Sequence, residues 1–304
     1  MCTGYMTDFN KPTILVTGAA GQVGFELLRS MQGLGRIVAA DRRMLDLSDL
    51  GQVARVVRDV RPTLIVNAAA YTAVDQAEAD VALADRVNGD APGVLAEEAA
   101  KLDAALIHYS TDYVFDGGKA GSYDESDVPN PLNAYGATKL HGERAVMEAG
   151  GKSLVFRTSW VYGGHGRNFL RTMMRLARER SELSIVDDQV GAPTWSATIA
   201  ALTAHIATQV LHERFDDADW WLRNAGIYHL TASGATSWAG FAEAIFASMP
   251  EEARPAVKRI STDEYPTPAR RPRNSRLSCS KLTSVFAVYP PDWRDALGAC
   301  ISTL

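Results

Sequence analysis

Short apolar runs alternate with amphipathic segments along the first half of the chain. The runs are continuous in apolar character, a pattern typical of strands that helices cover on both faces. They lie at residues 13–17, 36–40, 64–66, 104–108 and 154–156. Helical spacing of apolar residues stands between them at 25–31, 50–60, 79–100 and 135–149. This alternation predicts an α/β fold with a doubly wound parallel sheet, a Rossmann fold.

The regular alternation of predicted strands and helices ends after residue 160. The pattern predicts helices over 168–180, 196–211 and 237–246, strands over 183–186 and 227–230, and loops over 187–193 and 266–272. We interpret this half as a second, smaller lobe for substrate, with the chain crossing between the lobes more than once. The predicted dinucleotide-binding domain takes residues 1–165 and about 194–230, and the predicted substrate domain takes about 166–193 and 231–304.

Composition narrows the classes of partner. The chain has 304 residues, is 46% hydrophobic and carries a net charge of −5, so it lacks the broad basic field that nucleic acid requires. No stretch approaches the about 18 apolar residues of a membrane span. Three cysteines (Cys2, Cys279, Cys300) without metal-binding spacing fit a reducing cytoplasm. The first ten residues resemble a loose extension rather than a signal peptide.

A glycine-rich loop follows the first predicted strand. Gly18, Gly21 and Gly24 are spaced three apart, with Gln22 and Val23 between the last two. A tight strand-to-helix turn needs residues that tolerate positive φ, and a pyrophosphate must approach the backbone N–H groups of a helix N-terminus. The loop therefore predicts a dinucleotide site rather than a plain turn.

The residue that ends the second predicted strand bears on the choice of coenzyme. Asp41 can accept hydrogen bonds from the adenosine ribose of NAD, whereas Arg42 and Arg43 can hold the 2′-phosphate of NADP. The two signals conflict, so we expect both NADPH and NADH to be usable, with NADPH slightly favoured.

Two further segments complete the predicted cofactor site. Asp46 and Leu47, an acidic residue followed by an apolar one, can contact adenine. Ala68, Ala69 and Ala70 follow the third strand, where small side chains let a cofactor lie close to the backbone. Helix–sheet packing explains these alanines equally well.

Tyr135 and Lys139 are the main catalytic candidates. They stand four residues apart, so a helix places them on one face. Reduction of a ketone requires a proton on oxygen, and a nearby ammonium lowers the pKa of a phenol. Thr111, at the end of a strand, can polarise the carbonyl. We assign Tyr135 as acid, Lys139 as pKa tuner and ribose ligand, and Thr111 as orienter.

The ordered motifs resemble a known family. The glycine loop, Asn67 to Ala70, Ser110-Thr-Asp-Tyr-Val-Phe115 and Tyr135-Gly-x-x-Lys139 are similar to the extended short-chain dehydrogenase/reductases. The blocks at 66–75, 157–162, 188–194 and 271–277 narrow the resemblance to the dTDP-4-dehydrorhamnose reductase family. It implies NAD(P)H-dependent reduction of the C4 keto group of dTDP-4-dehydro-6-deoxy-L-mannose to dTDP-L-rhamnose, with Thr111, Tyr135 and Lys139 as the catalytic set.

The resemblance also implies a dTDP-linked nucleotide-sugar substrate. Asp112 and Tyr113 match positions near the sugar, and Trp160 matches a strand end that faces the substrate. Arg271 and Arg276 are candidate ligands of the diphosphate, because a planar guanidinium binds phosphate oxygens bidentately. Asn168 either binds phosphate or caps the following helix.

One departure from the family concerns metal. Some members hold Mg²⁺ at a dimer contact through glutamates, whereas this chain has Thr303 where a glutamate is often found and no acid at the start of the helix from Ser196. Carboxylates are the preferred ligands of Mg²⁺. We therefore predict no Mg²⁺ site and a monomer or weak homodimer.

Two other functions fit the same motifs. One is a different nucleotide-sugar reductase, or an epimerase or dehydratase, of the same superfamily. The other is a non-catalytic, dinucleotide-binding regulatory subunit, as a related family member is for methionine adenosyltransferase.

Overall fold

The computed structural model describes residues 11–304; the predicted N-terminal extension and Cys2 lie outside the described residues. The strands are β1 Thr13–Thr17, β2 Arg36–Ala40, β3 Leu64–Asn67, β4 Ala105–Thr111, β5 Lys152–Thr158, β6 Val161–Tyr162, β7 Glu182–Val186, β8 Val190–Gly191, β9 Thr194–Trp195, β10 Gly226–His229, β11 Thr236–Ser237 and β12 Ala256–Ile260. The α-helices are α1 Gln22–Ser30, α2 Leu50–Val60, α3 Val74–Ala77, α4 Val81–Asp85, α5 Ala91–Lys101, α6 Ala134–Ala149, α7 Phe169–Ala177, α8 Ser196–His212, α9 Ala218–Asn224, α10 Trp238–Ala247, α11 Ser280–Phe286 and α12 Trp293–Ile301.

Six parallel strands form the central sheet, in the order β10-β5-β4-β3-β1-β2. The strand order reverses across the sheet beside β1, where doubly wound folds place their ligands. The α/β, doubly wound parallel fold is therefore confirmed.

Alternate residues of the strands point to opposite faces of the sheet and pack into two separate hydrophobic cores. Ile14 and Val16 pack with α1 and α8 on one face, whereas Leu15 packs with α2, α5 and α6 on the other. Both sets are fully buried. Helices on both faces explain why the strands are continuous apolar runs.

The segment 79–100, predicted as one or two helices, contains two α-helices. A π-helical turn over Arg86–Asp90 separates α4 from α5. Pro92 has no N–H to donate to the carbonyl of Asn88. The Asn88 side chain, in the same turn, pairs with the backbone N–H and C=O of Tyr71. The wide turn thus accommodates a missing donor.

A third core belongs to the second half of the chain. It includes Tyr162, Leu170, Phe241 and Trp293, and the parallel pair β7–β12 borders it. The predicted loop over 187–193 contains the short strand β8. The sequence pattern did not indicate α9, β12, α11 or α12. These elements are short, and three of the five residues in β12 are exposed, so they lack a periodic signal.

The later part of the chain also returns to the first sheet. β10 pairs with β5, and α8 packs on α1. The exact domain limits remain a prediction. Within residues 11–304, every helix is too short or too polar to cross a membrane.

Candidate active site

A cavity of about 680 Å³ lies beyond the carboxyl ends of the central strands. Most of the predicted cofactor residues line it. They are Gly18, Gly21, Gln22, Val23, Asp41, Arg42, Asp46, Leu47, Ala68, Ala69, Ala70, Tyr135 and Lys139. Two predicted regions far apart in sequence, the glycine loop and the Tyr135 helix, therefore meet at one cavity.

The glycine loop has no room for side chains. Gly18 has a φ of +64°, and a Cβ there would lie 2.7 Å from the backbone nitrogen of Ala69. A Cβ on Gly24 would lie 2.1 Å from the carbonyl oxygen of Gly18. Gly24 does not line the cavity but lets α1 start directly against the loop. The result is a backbone cradle suited to a pyrophosphate.

The N-terminus of α1 faces this cradle without a side-chain cap. Its first N–H groups and the positive end of the helix dipole are the groups that bind an anion. Arg167 also lines the cavity. The sequence pattern did not predict it, because the preceding strand, β6, has only two residues and is too short to show a periodic pattern.

The adenosine end contains both conflicting signals. One carboxylate oxygen of Asp41 accepts the N–H groups of Arg43 and Met44 at 2.9 and 3.1 Å, fixing the turn after β2. The exposed Arg42 guanidinium lies 3.6 Å from Asp46. Hydrogen bonds from Ser48 lower the pKa of Asp46. The cavity therefore offers an acid and a cation side by side.

Tyr135 and Lys139 lie on the first turns of α6. The helix begins after Asn133, whose side chain accepts the N–H of Gly136 at 2.8 Å. A Cβ on Gly136 would lie 2.1 Å from the carbonyl oxygen of Tyr113, so this glycine lets α6 approach the segment after β4. The close approach brings the phenol to the end of the sheet.

Burial shifts the pKa values of both groups. It raises the pKa of Tyr135 to about 12, partly offset by a hydrogen bond with Thr111. It lowers the pKa of Lys139 to about 8, against the attraction of Glu143. The Lys139 ammonium donates to the carbonyl oxygen of Tyr109 at 2.6 Å. Desolvation is thus the main cause of both shifts, and a lowering of the phenol pKa by Lys139 stays a prediction.

Thr111 lies behind the phenol rather than on the cavity wall. Its hydroxyl donates to Asp112 at 3.0 Å and accepts the N–H of Tyr113 at 3.2 Å. Asp112 is buried, and burial raises its pKa to about 6 despite hydrogen bonds from Ser275 and Thr111. The ring of Tyr113 meets Tyr135 edge-on, with ring centroids 5.6 Å apart.

A second, more apolar cavity of about 370 Å³ belongs to the other lobe. Phe169, Trp238, Tyr265 and Arg271 are among its lining residues. Trp238 stacks in parallel on Trp160 at a centroid distance of 3.6 Å. The sequence gave no reason to single out Trp238, since only the fold brings it to Trp160.

The backbone of Trp160 has a φ of +47°, an uncommon conformation for a bulky residue. Gly191 makes room for its indole, because a Cβ there would lie 2.6 Å from the Trp160 ring. The surroundings therefore hold this tryptophan in a strained position at the end of β5.

Arg271 lines the second cavity. Its guanidinium pairs with Asp75 at 2.8 Å and lies close to Tyr113. The predicted position near substrate is thus adjacent to the Tyr135 ring, through Tyr113.

Two other predicted substrate ligands have structural partners instead. Arg276 donates to the side chain of Asn274 and to the carbonyl oxygen of Ala120, and it lines neither cavity. Asn168 caps α7 by accepting the N–H of Arg171 and donates to Gln22. The structure shows the capping role of Asn168; diphosphate contact by either residue stays a prediction without support here.

One cluster in the described part of the chain has ligand atoms close enough to hold a metal. It comprises Asp85, Asp90 and His141, lies on α4, the π turn and α6, and lines neither cavity. The predicted lack of a Mg²⁺ site stays a prediction.

Fold and site together define a Rossmann-fold oxidoreductase of the extended short-chain type. The family model described as RmlD substrate binding domain matches residues 12–304. A dTDP-4-dehydrorhamnose reductase of Burkholderia thailandensis is 52% identical over 96% of this chain and 98% of that protein. A dTDP-4-dehydrorhamnose reductase of Escherichia coli K12 is 45% identical over 92% of this chain and 94% of that protein.

A solved structure is similar over the same extent. The Bacillus anthracis dTDP-4-dehydrorhamnose reductase, crystallised with NADP, superposes with a TM-score of 0.87 at 35% identity, covering 97% of this chain and all of that one. The chain belongs to the dTDP-4-dehydrorhamnose reductase family.

Proposed function

We propose that this chain catalyses NAD(P)H-dependent reduction of the C4 keto group of dTDP-4-dehydro-6-deoxy-L-mannose, giving dTDP-L-rhamnose. One observation carries the proposal most directly. Tyr135 and Lys139 line the same cavity as the glycine cradle. Arg271, which lines the second cavity, lies close to Tyr113, whose ring contacts that of Tyr135. The relatives named above are reductases of this substrate.

The cradle fits a nicotinamide dinucleotide. Gly18, Gly21 and the uncapped N-terminus of α1 would hold the pyrophosphate, and Asp41 and Arg42 would flank the adenosine ribose. A bound NAD(P)H supplies the hydride that reduces the carbonyl carbon. Lys139 would hold the nicotinamide ribose through its remaining N–H.

Residues of the chain donate the proton and stabilise the charge that its loss leaves. With its pKa raised to about 12, Tyr135 is a neutral phenol at pH 7 and can donate to the developing C4 alkoxide. The Thr111 hydroxyl donates its one hydrogen to Asp112 and would turn toward the substrate to polarise the carbonyl oxygen. Lys139, mostly an ammonium at pH 7, stabilises the phenolate that remains.

The second cavity would take the nucleotide. Its aromatic and aliphatic walls suit a pyrimidine ring, and Arg271 at its edge suits the diphosphate. Asp112, Tyr113 and Trp160 would surround the sugar between the two cavities. We further propose a cytoplasmic enzyme that acts as a monomer or weak homodimer.

A turnover assay tests the proposal. Purified protein is mixed with the dTDP-4-keto sugar and, in turn, with NADPH or NADH, and coenzyme oxidation is followed at 340 nm. We expect stoichiometric formation of dTDP-L-rhamnose with both coenzymes. Coenzyme binding without oxidation would refute the proposed substrate.

The buried Asp112 favours one alternative. A carboxyl with its pKa raised to about 6 beside Tyr135 is the additional acid/base group that an epimerase or dehydratase requires. Those reactions regenerate their cofactor, so net NAD(P)H consumption separates them from the reductase. The regulatory-subunit alternative has no comparable support, since Thr111, Tyr135 and Lys139 are all present in the chain.

A further inference from the structure

A polar row crosses the otherwise apolar sheet below the site. Thr17, Asn67 and His108 occupy the same register on the neighbouring strands β1, β3 and β4. Each is at most 1% exposed. Buried polar groups are costly unless they are paired, so this row needs a structural or chemical reason.

The three side chains form a continuous hydrogen-bonded array. The Thr17 hydroxyl donates to Oδ1 of Asn67 at 2.5 Å, and Nδ2 of Asn67 lies 2.9 Å from Nδ1 of His108. Nε2 of His108 lies 3.3 Å from the Lys139 ammonium. At the other end, the N–H of Ala69 donates to Thr17 at 3.3 Å. The array therefore connects the wall of the cofactor cavity to Lys139.

We propose that His108 is a positioning residue for Lys139, held in place by Asn67 and Thr17. An ammonium has three N–H bonds. The carbonyl oxygen of Tyr109 takes one and His108 takes a second, and within residues 11–304 the structure gives no further partner. The third N–H is thereby left for the cofactor cavity that Lys139 lines.

The chemistry of the ring makes the array responsive to Lys139. A neutral imidazole has one N–H and one lone pair. In the arrangement shown, Asn67 donates from Nδ2 to Nδ1 of His108, so the ring hydrogen is on Nε2 and faces a neutral Lys139. A protonated Lys139 needs the lone pair on Nε2, so Nδ1 carries the hydrogen instead. The Asn67 amide then rotates, so that Oδ1 accepts from Nδ1 of His108 and Nδ2 donates to the Thr17 hydroxyl. The row thus has one arrangement for each protonation state of Lys139.

The titratable groups that face Lys139 come from α6 and β4. Tyr135 and Glu143 face it from α6, and Glu143 is already paired bidentately with Arg157 of β5 at 2.6 and 2.8 Å. His108 and the Tyr109 carbonyl face it from β4. Loss of the His108 lone pair removes a contact that stabilises the ammonium, so the pKa of Lys139 falls further.

Two variants test separately the contacts that the two nitrogens of the imidazole make. In His108→Gln, the longer amide can still accept from Lys139. In His108→Asn, the shorter amide retains the Asn67 contact but cannot reach Lys139. His205→Asn on the exposed side of α8 is the matched control, and thermal unfolding verifies the fold of each variant.

The inference rests on the proposed reductase function, so two readouts are combined. The first is the alkaline limb of the kcat/KM profile for NADPH oxidation. The second is the titration of Lys139 followed by ¹³Cε NMR, assigned with Lys139→Arg. We expect His108→Asn to move both to lower pH by about one unit, and His108→Gln and His205→Asn to leave both near the wild-type values.

Equal behaviour of His108→Gln and His108→Asn in the titration would overturn the positioning role. If His108→Asn does not fold, Thr17→Val takes its place, with a smaller shift expected in the same direction; an unshifted Lys139 titration then overturns the proposal. A wild-type protein that never oxidises NADPH with the sugar refutes the reductase instead, while the NMR titration still decides the role of His108.

Discussion

At the scale of single residues, the sequence predicted which groups carry the chemistry better than it predicted how deeply those groups are buried. The spacing of Tyr135 and Lys139 and the spacing of Gly18, Gly21 and Gly24 are local properties, and the structure brings both sets to one cavity. Burial, by contrast, depends on the whole fold. It raises the pKa of Tyr135 to about 12, an effect that the spacing of Tyr135 and Lys139 does not reveal.

Tyr135→Phe tests the proton donor. The variant retains the ring and its edge-on contact with Tyr113 but has no hydroxyl. We expect kcat to fall by roughly 10² to 10⁴, with NADPH affinity unchanged. Steady-state kinetics and fluorescence titration with NADPH measure the two effects, and Tyr289→Phe, at an exposed position, is the control. Turnover close to wild type would refute the role of Tyr135.

The lowered pKa of Lys139 sets a pH limit. Because burial brings the pKa of this ammonium to about 8, we expect kcat/KM to be highest below that pH and to fall as Lys139 loses its proton above it. A pH–rate profile between pH 6 and about 10 checks this. A profile that is flat through pH 9 would contradict the assignment.

At the scale of elements, long periodic segments were predictable and short ones were not. The strand at 13–17 and the helix at 50–60 agree with β1 and α2. Helix α9 and strand β12 depend on a cap at Asp217 and on pairing with β7. Neither signal appears as periodicity, because tertiary contacts rather than propensity stabilise these pieces.

One ion-pair cluster joins two helices on the sheet. Glu98 of α5 pairs with Arg58 of α2, with both N–O distances at 2.6 Å, and with Lys101 at 2.8 Å. The hydrogen bond from Arg58 is the main cause that lowers the pKa of Glu98 to about 2. The Glu98 side chain is only 3% exposed, so its carboxylate depends on these partners.

Glu98→Gln should destabilise the fold by about 1–3 kcal/mol at pH 7. The exposed neighbour Glu97→Gln is the control and should change little. A depressed pKa in the folded state means that the stabilisation is fully present above the unfolded pKa of about 4.3 and is lost as the pH falls toward 2. Urea unfolding at pH 7 and at about pH 3 should therefore show a smaller Glu98→Gln effect at the lower pH; an effect that grows on acidification would contradict the pairing.

At the scale of the whole molecule, sequence order concealed which residues meet. Asp75 and Arg271 lie 2.8 Å apart, and Trp160 stacks on Trp238. Each pair joins segments that the sequence separates widely, so no local pattern predicts the contact. The contact of Arg276 with the carbonyl oxygen of Ala120 is of the same long-range kind, whereas the cap that Asn168 provides for α7 is local and was one of the two roles that the sequence predicted.

Arg271→Lys tests the proposed link between the cavities. Lysine keeps the charge but loses the planar, bidentate geometry. We expect KM for the nucleotide-sugar to rise roughly tenfold with NADPH affinity unchanged, whereas the exposed Arg270→Lys should behave as wild type. Equal KM values for the two variants would exclude Arg271 from the substrate site.

Transfer of deuterium tests the central claim most directly. The enzyme is supplied with NADPH deuterated on the transferred face of nicotinamide C4 and with the dTDP-4-keto sugar, and the product is examined by mass spectrometry and proton NMR. The reductase account predicts dTDP-L-rhamnose with one deuterium at C4 of the sugar and one equivalent of NADP formed. A product without deuterium, or conversion without net NADPH consumption, would contradict it.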